Sequence, residues 1–348
     1  MKILITGNLG YVGPGVIREF RQRYPDATIY GYDIGYFARY LTTTSICPDA
    51  LLNTQFYGDV RSFPEEILEG VDVIISLAAI SNDPIGNKFE KPTMQINYEA
   101  NIRIAEMAKR MGVRRFIFAS SCSVYGAAED EPRKEASSLN PLTAYAKSKI
   151  YSEEALKSIA SDVFQVTCLR FATACGMSER LRLDLVLNDF VAGAMSSGII
   201  DILSDGTPWR PLIHVLDMAR AIAWAAERSS TKGGNFLTIN TGSNVWNYQV
   251  KDLAYAVQEV MPTVKVKINE NAAPDKRSYR VNFDLFEELA PNYQPQFSLI
   301  DTIADLNKGL QAIHFHDAAF RDGELMRLNV VRALRESEII DHELHLNK

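Results

Sequence analysis

Residues 6–16 read "TGNLGYVGPGV", directly after the short apolar run "KILIT" at 2–6. Gly7, Gly10 and Gly13 therefore join a first strand to a first helix. Glycines let the backbone turn tightly and approach a pyrophosphate, whose charge is stabilised by the free N–H groups and positive end of the following helix. Pro14 fits the first helical turn, where its missing N–H would have been unpaired anyway. A second β-type run, "TIYGYD" at 28–33, ends on Asp33. A carboxylate about twenty residues beyond such a loop bonds the adenosine ribose hydroxyls and repels a 2′-phosphate, which predicts NAD as the cofactor rather than NADP.

Outward from this loop the chain alternates between two periods. Further β-type runs lie at 72–76, 115–119 and 164–170, with helical patterns at 92–111 and 143–160. Near-continuously apolar strands separated by helices indicate a parallel sheet covered on both faces. Beyond 170 the regularity fades into a helix at 184–196, the segment "RPLIHVLDMARAIAWAAE", a strand at 235–241 and a helix at 249–260. The expected fold is α/β, a doubly wound parallel (Rossmann) sheet with a smaller mixed α/β C-terminal lobe. Residues 1–172 form the dinucleotide-binding domain, with parts of 210–245 returning to it, and 173–348 form the substrate lobe and a helical tail.

Composition narrows the function classes. The 348 residues are 47% hydrophobic with a net charge of −6, and Lys and Arg are spread along the chain, so no nucleic-acid partner is expected. The apolar run at the N-terminus is too short for a signal segment and no later run spans a membrane, which predicts a cytoplasmic protein with no membrane partner. Cys47, Cys122, Cys168 and Cys175 show no CxxC spacing and read as buried small hydrophobes. His314 and His316 form an HxH with no third ligand, so no metal is expected.

Catalytic chemistry is carried by "TAYAKSK" at 143–149 and "FASSCSVYG" at 118–126. Tyr145 and Lys149 are four apart on a helix, so both leave one face. An ammonium beside a phenol favours the phenolate; lowering a tyrosine pKa from about 10 by about three units is worth roughly 4 kcal/mol, within reach of burial and neighbouring charge. Tyr145 then acts as a general base. No GxSxG elbow or connected histidine supports a nucleophilic serine, so acyl transfer is excluded.

The GxxGxxG spacing, "YGDV" with Asp59, "SLAA" at 76–79, "SSCSVYG", "YAKSK" and "RPLIHVLDMA" at 210–219 together resemble the extended short-chain dehydrogenase/reductase superfamily, in its sugar-nucleotide epimerase and dehydratase branch. The resemblance runs to about residue 310. It implies that Ser121 hydrogen-bonds the substrate hydroxyl while Tyr145 takes the proton and Lys149 grips the cofactor ribose. It also implies cofactor contacts from Tyr11, Val12, Asp59, Val60, Leu77, Ala78, Ala79 and Asn97. Related 4,6-dehydratases carry an Asp-Glu pair after the catalytic hydroxyl; Cys122 and Ser123 stand there in this chain, which disfavours dehydration.

Substrate contacts follow the same resemblance. Arg210 and Arg277 resemble arginines that grip the diphosphate of a nucleoside-diphosphate sugar, and guanidinium forks suit phosphate oxygens. Thr173 stands where many relatives have a substrate-binding Asn, Ser123 is expected to bind substrate, and Arg180, Arg182 and Asn188 lie near the expected nucleotide site. The expected function is NAD-dependent epimerisation at C4 of a nucleotide sugar. A 4-dehydrogenase or 4-keto reductase is the alternative, and a non-catalytic NAD-binding sensor is the reading from another class. The branch commonly pairs through helices matching 92–111 and 143–160, implying a homodimer.

Overall fold

Seven strands make one parallel sheet at the centre of the computed structural model, which describes residues 1–42, 47–81, 83–127, 131–272 and 277–347. In chain order the strands are β1 (Lys2–Thr6), β2 (Thr28–Asp33), β3 (Thr54–Tyr57), β4 (Val73–Ser76), β5 (Arg115–Ser121) and β6 (Gln165–Phe171). Then come β7 (Thr173–Cys175), β8 (Ile199–Ile202), β9 (Trp209–His214), β10 (Phe236–Thr241), β11 (Asn247–Gln249) and β12 (Lys265–Ile268). The large sheet has the order β10-β6-β5-β4-β1-β2-β3. Its order reverses at β1, which pairs with β2 on one side and β4 on the other, so Thr6 lies level with both Tyr32 and Ser76. The crevice beyond these strand ends is where open α/β sheets bind ligands.

Alternation along β1 builds both layers. Ile3 and Ile5 enter a core shared with helices Gly13–Arg23 and Val215–Glu227, whereas Leu4 enters the opposite core with helix Ala100–Arg110. Both faces are thus buried, as near-continuous apolar strands require. The expected strands of the first domain are all present, and β3 was not anticipated. "TQFY" is short, only half-buried and lies on the edge, so it lacks the apolar run that marks the inner strands.

The 92–111 pattern forms two helices, Glu90–Met94 and Ala100–Arg110, joined through a π-helical turn at Gln95–Glu99. The 143–160 pattern forms one helix, Ala144–Ile159, capped by the Thr143 hydroxyl accepting from the Ala146 N–H at 3.1 Å. Two smaller sheets, β11-β9-β7 and β12-β8, accompany helices Val186–Ser197, Val250–Val260 and Leu299–Ala312 around a third core.

β10 pairs with β6, so the 210–245 region returns to the large sheet. The end of the chain packs against the core beside the large sheet. Val330, Val331, Leu334, Ile340 and Leu344 pack into the core containing Tyr32, Val60 and Phe63. Arg61 donates to the carbonyls of Glu343 and Leu344, each at 2.7 Å. Helix Arg327–Glu336 is therefore fixed on the first domain.

Cys122, Cys168 and Cys175 are buried as expected, but Cys47 is only half-buried, with Sγ 3.4 Å from Asp49 Oδ2. Among the described residues no helix is long and apolar enough to cross a membrane.

Candidate active site

A cavity of about 780 Å³ opens beyond the strand ends where the sheet order reverses. Gly7, Gly10, Tyr11 and Val12 form its floor. Gly7 has φ +75°, and a Cβ there would come within 2.4 Å of the Ala78 backbone nitrogen, so only glycine lets the two loops meet. Gly13 does not line the cavity; a Cβ at that position would strike the Asn8 carbonyl oxygen at 1.9 Å, so its task is to let the helix start close beneath the loop.

Asp33 lines the cavity and accepts from the Leu9 N–H at 3.1 Å and the Gly35 N–H at 2.7 Å. Burial pushes its carboxyl pKa up; those two N–H donors and the charges of Arg180 and Arg327 oppose the shift. Asp59 and Val60 border the same end, with the Asp59 carboxylate held by Arg61 at 2.6 Å. Leu77, Ala78 and Ala79 form the wall after β4.

Asn97 is fully buried outside this lining. Its side chain accepts from the Ile80 N–H at 2.7 Å, and donates to the Ile80 carbonyl at 3.0 Å and the Ser148 hydroxyl at 3.2 Å. It thereby ties the wall loop to the helix bearing Tyr145 and Lys149. Asn97, expected to contact the cofactor, is not among the lining residues, and these bonds give it a positioning role.

Lys149 is 3% exposed, and its Nζ donates to the Ala119 carbonyl at 2.7 Å. The ammonium lies 5.4 Å from the centroid of the Tyr145 ring. Burial lowers its pKa to about 8, against the weaker pull of Glu153. Tyr145 lines the cavity on the turn before it, as the four-residue spacing required. Ser121 ends β5 and caps the turn Cys122–Tyr125 by accepting from the Ser123 N–H at 3.1 Å. Cys122 turns away, fully buried, with Sγ 3.1 Å from the Arg170 carbonyl, and burial drives its thiol pKa up, so it is neither a nucleophile nor an acid at neutral pH.

Thr173, Arg210 and Arg277 line the far end of the cavity. Arg180 and Asn188 do not. Arg180 is buried and paired with Asp49 at 2.6 Å, while Asn188 bonds Tyr11, Gly176 and Arg182. Asn188 and the Arg180–Asp49 pair help hold the 176–182 segment over the glycine loop, where Ser178 donates to the Tyr11 carbonyl at 2.7 Å. Sequence reasoning missed Asp184, Arg321 and Arg327, which line the cavity, and left Arg182 unassigned. Arg182 pairs with Asp184 at 2.6 Å and donates to Ser81 at 2.9 Å. No motif announces Arg327, because it enters from the tail. His214 is buried and stacked on Phe297 at 3.8 Å, a structural contact. Residues 128–130, and 273–276 before Arg277, lie outside the described residues.

The cradle fits a dinucleotide on its own geometry. The glycine loop leaves room for a diphosphate, Asp33 offers carboxylate oxygens beside that loop, and the Ser123 hydroxyl is buried with no hydrogen-bond partner among the described residues.

The chain is similar to several known proteins. The UDP-glucose 4-epimerase of Corynebacterium glutamicum is 27% identical over 279 residues, covering 75% of this chain and 80% of that protein. That of Pasteurella multocida is 26% identical over 289 residues, covering 75% and 82%. In fold the chain is similar to TunA, an NAD-dependent NDP-hexosamine 5,6-dehydratase of tunicamycin biosynthesis (TM-score 0.77, 21% identity, 91% of this chain and 99% of that one). It is similar also to the UDP-glucuronic acid 4-epimerase of Bacillus cereus solved with NAD (TM-score 0.76, 20% identity, 92% and 99%). A sequence model of the NAD dependent epimerase/dehydratase family matches residues 3–242, from β1 through the end of β10, and the chain belongs to that family.

Proposed function

We propose that this protein is an NAD-dependent 4-epimerase of a nucleoside-diphosphate sugar. The observation that carries the reading is the joining of Ser121, Tyr145 and Lys149 in one cavity with a glycine loop, while the positions after Ser121 hold no carboxylic acid. Expulsion of water would need an acid at that point. The buried Cys122 thiol and the Ser123 hydroxyl do not supply one.

When bound, NAD supplies a reversible hydride acceptor. Tyr145 Oη takes the proton of the sugar C4 hydroxyl, and Lys149 favours the phenolate that receives it. Ser121 donates to the same sugar oxygen and keeps it oriented as it loses the proton. In the return direction Tyr145 gives the proton back. Arg210 and Arg277, at the opposite end, suit the substrate diphosphate, and Thr173 and Ser123 border the sugar. The complete proton-handling set argues against a mere NAD sensor, which needs only the glycine loop.

The working form in this reading is a cytoplasmic homodimer, paired through helices Ala100–Arg110 and Ala144–Ile159. Tyr151, 46% exposed, and Met111, 39% exposed, leave apolar surface beside that pair. Incubation with NAD and UDP-, GDP-, CDP- and dTDP-sugars, with products read by NMR and absorbance at 340 nm, tests the function. A new C4 epimer without accumulating NADH supports it; NADH formed in proportion to a keto sugar makes the protein a dehydrogenase.

A further inference from the structure

Arg327 is the first residue of helix Arg327–Glu336 and lines the cavity although it follows the glycine loop by more than three hundred residues in sequence. It is 3% exposed. Its Nη2 donates to the Arg180 carbonyl at 3.0 Å, and its guanidinium lies 4.1 Å from the centroid of the Phe37 ring. Its Nη1 is buried with no hydrogen-bond partner among the described residues. A buried guanidinium with an idle donor is costly unless an anion completes it.

The surrounding charges do not complete it. Arg182 and Arg180 oppose it, and the two carboxylates that attract it, Asp184 and Asp33, have partners of their own in Arg182 and in the N–H groups of Leu9 and Gly35. Burial first, and then the like charge of Arg182, lowers the Arg327 pKa. Met326, just before it, also lines the cavity, so the positive end of the helix opens on the same space.

We propose that Arg327 is a phosphate-binding group brought by the C-terminal tail, its idle Nη1 completing the site of the bound dinucleotide's diphosphate. The diphosphate is chosen over a 2′-phosphate because Asp33 stands at the ribose end, where its carboxylate would repel a second anion. The tail is therefore part of the cofactor site. This inference rests on dinucleotide binding and is independent of which sugar is turned over.

NADH fluorescence titration of the full-length protein, with displacement by ADP, 2′,5′-ADP and adenosine, tests it. A charge-assisted hydrogen bond corresponds to a loss of about 10- to 100-fold. Arg327→Gln is expected to weaken NADH and ADP by that factor and adenosine by less than about twofold, while Arg327→Lys recovers most of the ADP affinity. Unchanged ADP and NADH affinities overturn the proposal, as does an equal loss for adenosine, which marks a merely structural role. A loss confined to 2′,5′-ADP overturns the diphosphate assignment in favour of a 2′-phosphate. If Arg327→Gln gives no cooperative melt, Arg327→Met carries the test: a loss of about 10-fold or more for ADP with none for adenosine is expected, and no selective loss overturns it. Tyr145→Phe, expected to keep ADP affinity, separates failure of this clamp from failure of the epimerase reading.

Discussion

The glycine loop and the last helix face one cavity, but different forces hold them there. The loop is set by short-range geometry: β1 ends at Thr6, Gly7 takes φ +75°, and the next helix starts at Gly13. The last helix depends on contacts made at great sequence distance, such as Arg61 with the Glu343 and Leu344 carbonyls and Val330 with the core beside β2. Elements held by a few long-range contacts open more readily than those built into the central sheet. In the proposed function the first domain supplies the chemistry, and the tail a grip that can be loosened separately.

Chemistry should break first and most. Tyr145→Phe is expected to lower turnover by about a thousandfold while leaving NADH affinity within about twofold, measured by steady-state assay and fluorescence titration. Equal loss of both would place Tyr145 in binding alone. Lys149 sharpens the same side through pH. Its pKa is lowered from 10.5 to about 8 in the fold, so the folded chain binds this proton less tightly than the unfolded one. That penalty is constant below pH 8 and shrinks as pH rises towards 10.5. Lys149→Met is thus expected to stabilise the cofactor-free protein by up to about 3 kcal/mol at pH 7, with the gain vanishing across that window in urea melts. A gain independent of pH would contradict the assignment.

Smaller effects probe the framework on each side. Gly7→Ala forces a methyl onto the Ala78 backbone in a left-handed conformation and is expected to cost about 2 kcal/mol or more, with loss of NADH binding. Arg61→Ala strips the buried partner of Asp59 and two tail carbonyl bonds. A similar loss of about 2 kcal/mol is expected there, but hydrogen exchange should localise it to residues 327–347. Uniform exchange across the sheet would erase the distinction between the regions. Arg114→Ala, removing an exposed pair with Asp72 at 2.7 Å, is expected to shift stability by less than about 1 kcal/mol.

This division also explains what the sequence made legible. Gly7, Asp33, Ser121, Tyr145 and Lys149 occupy positions set by strand ends and helical spacing, and each lines the cavity. Asn97 and Asn188 are polar residues beside the site whose bonds are spent internally, a difference only three-dimensional pairing reveals. Arg180 turns its Nη1 and Nη2 to Asp49, more than a hundred residues earlier. Arg327 is illegible for the converse reason: its neighbours in sequence form an ordinary charged helix, and the cavity comes to it through the return of the tail.

The central claim is proton removal by Tyr145 coupled to a hydride that leaves and returns to the same carbon. Its most direct test is to incubate the holoenzyme with a UDP-sugar deuterated at C4 and follow the epimer by NMR. The account predicts an epimer that retains deuterium at C4, with no accumulation of NADH and none of this in Tyr145→Phe; loss of the label to solvent, or a keto sugar formed with stoichiometric NADH, would contradict it.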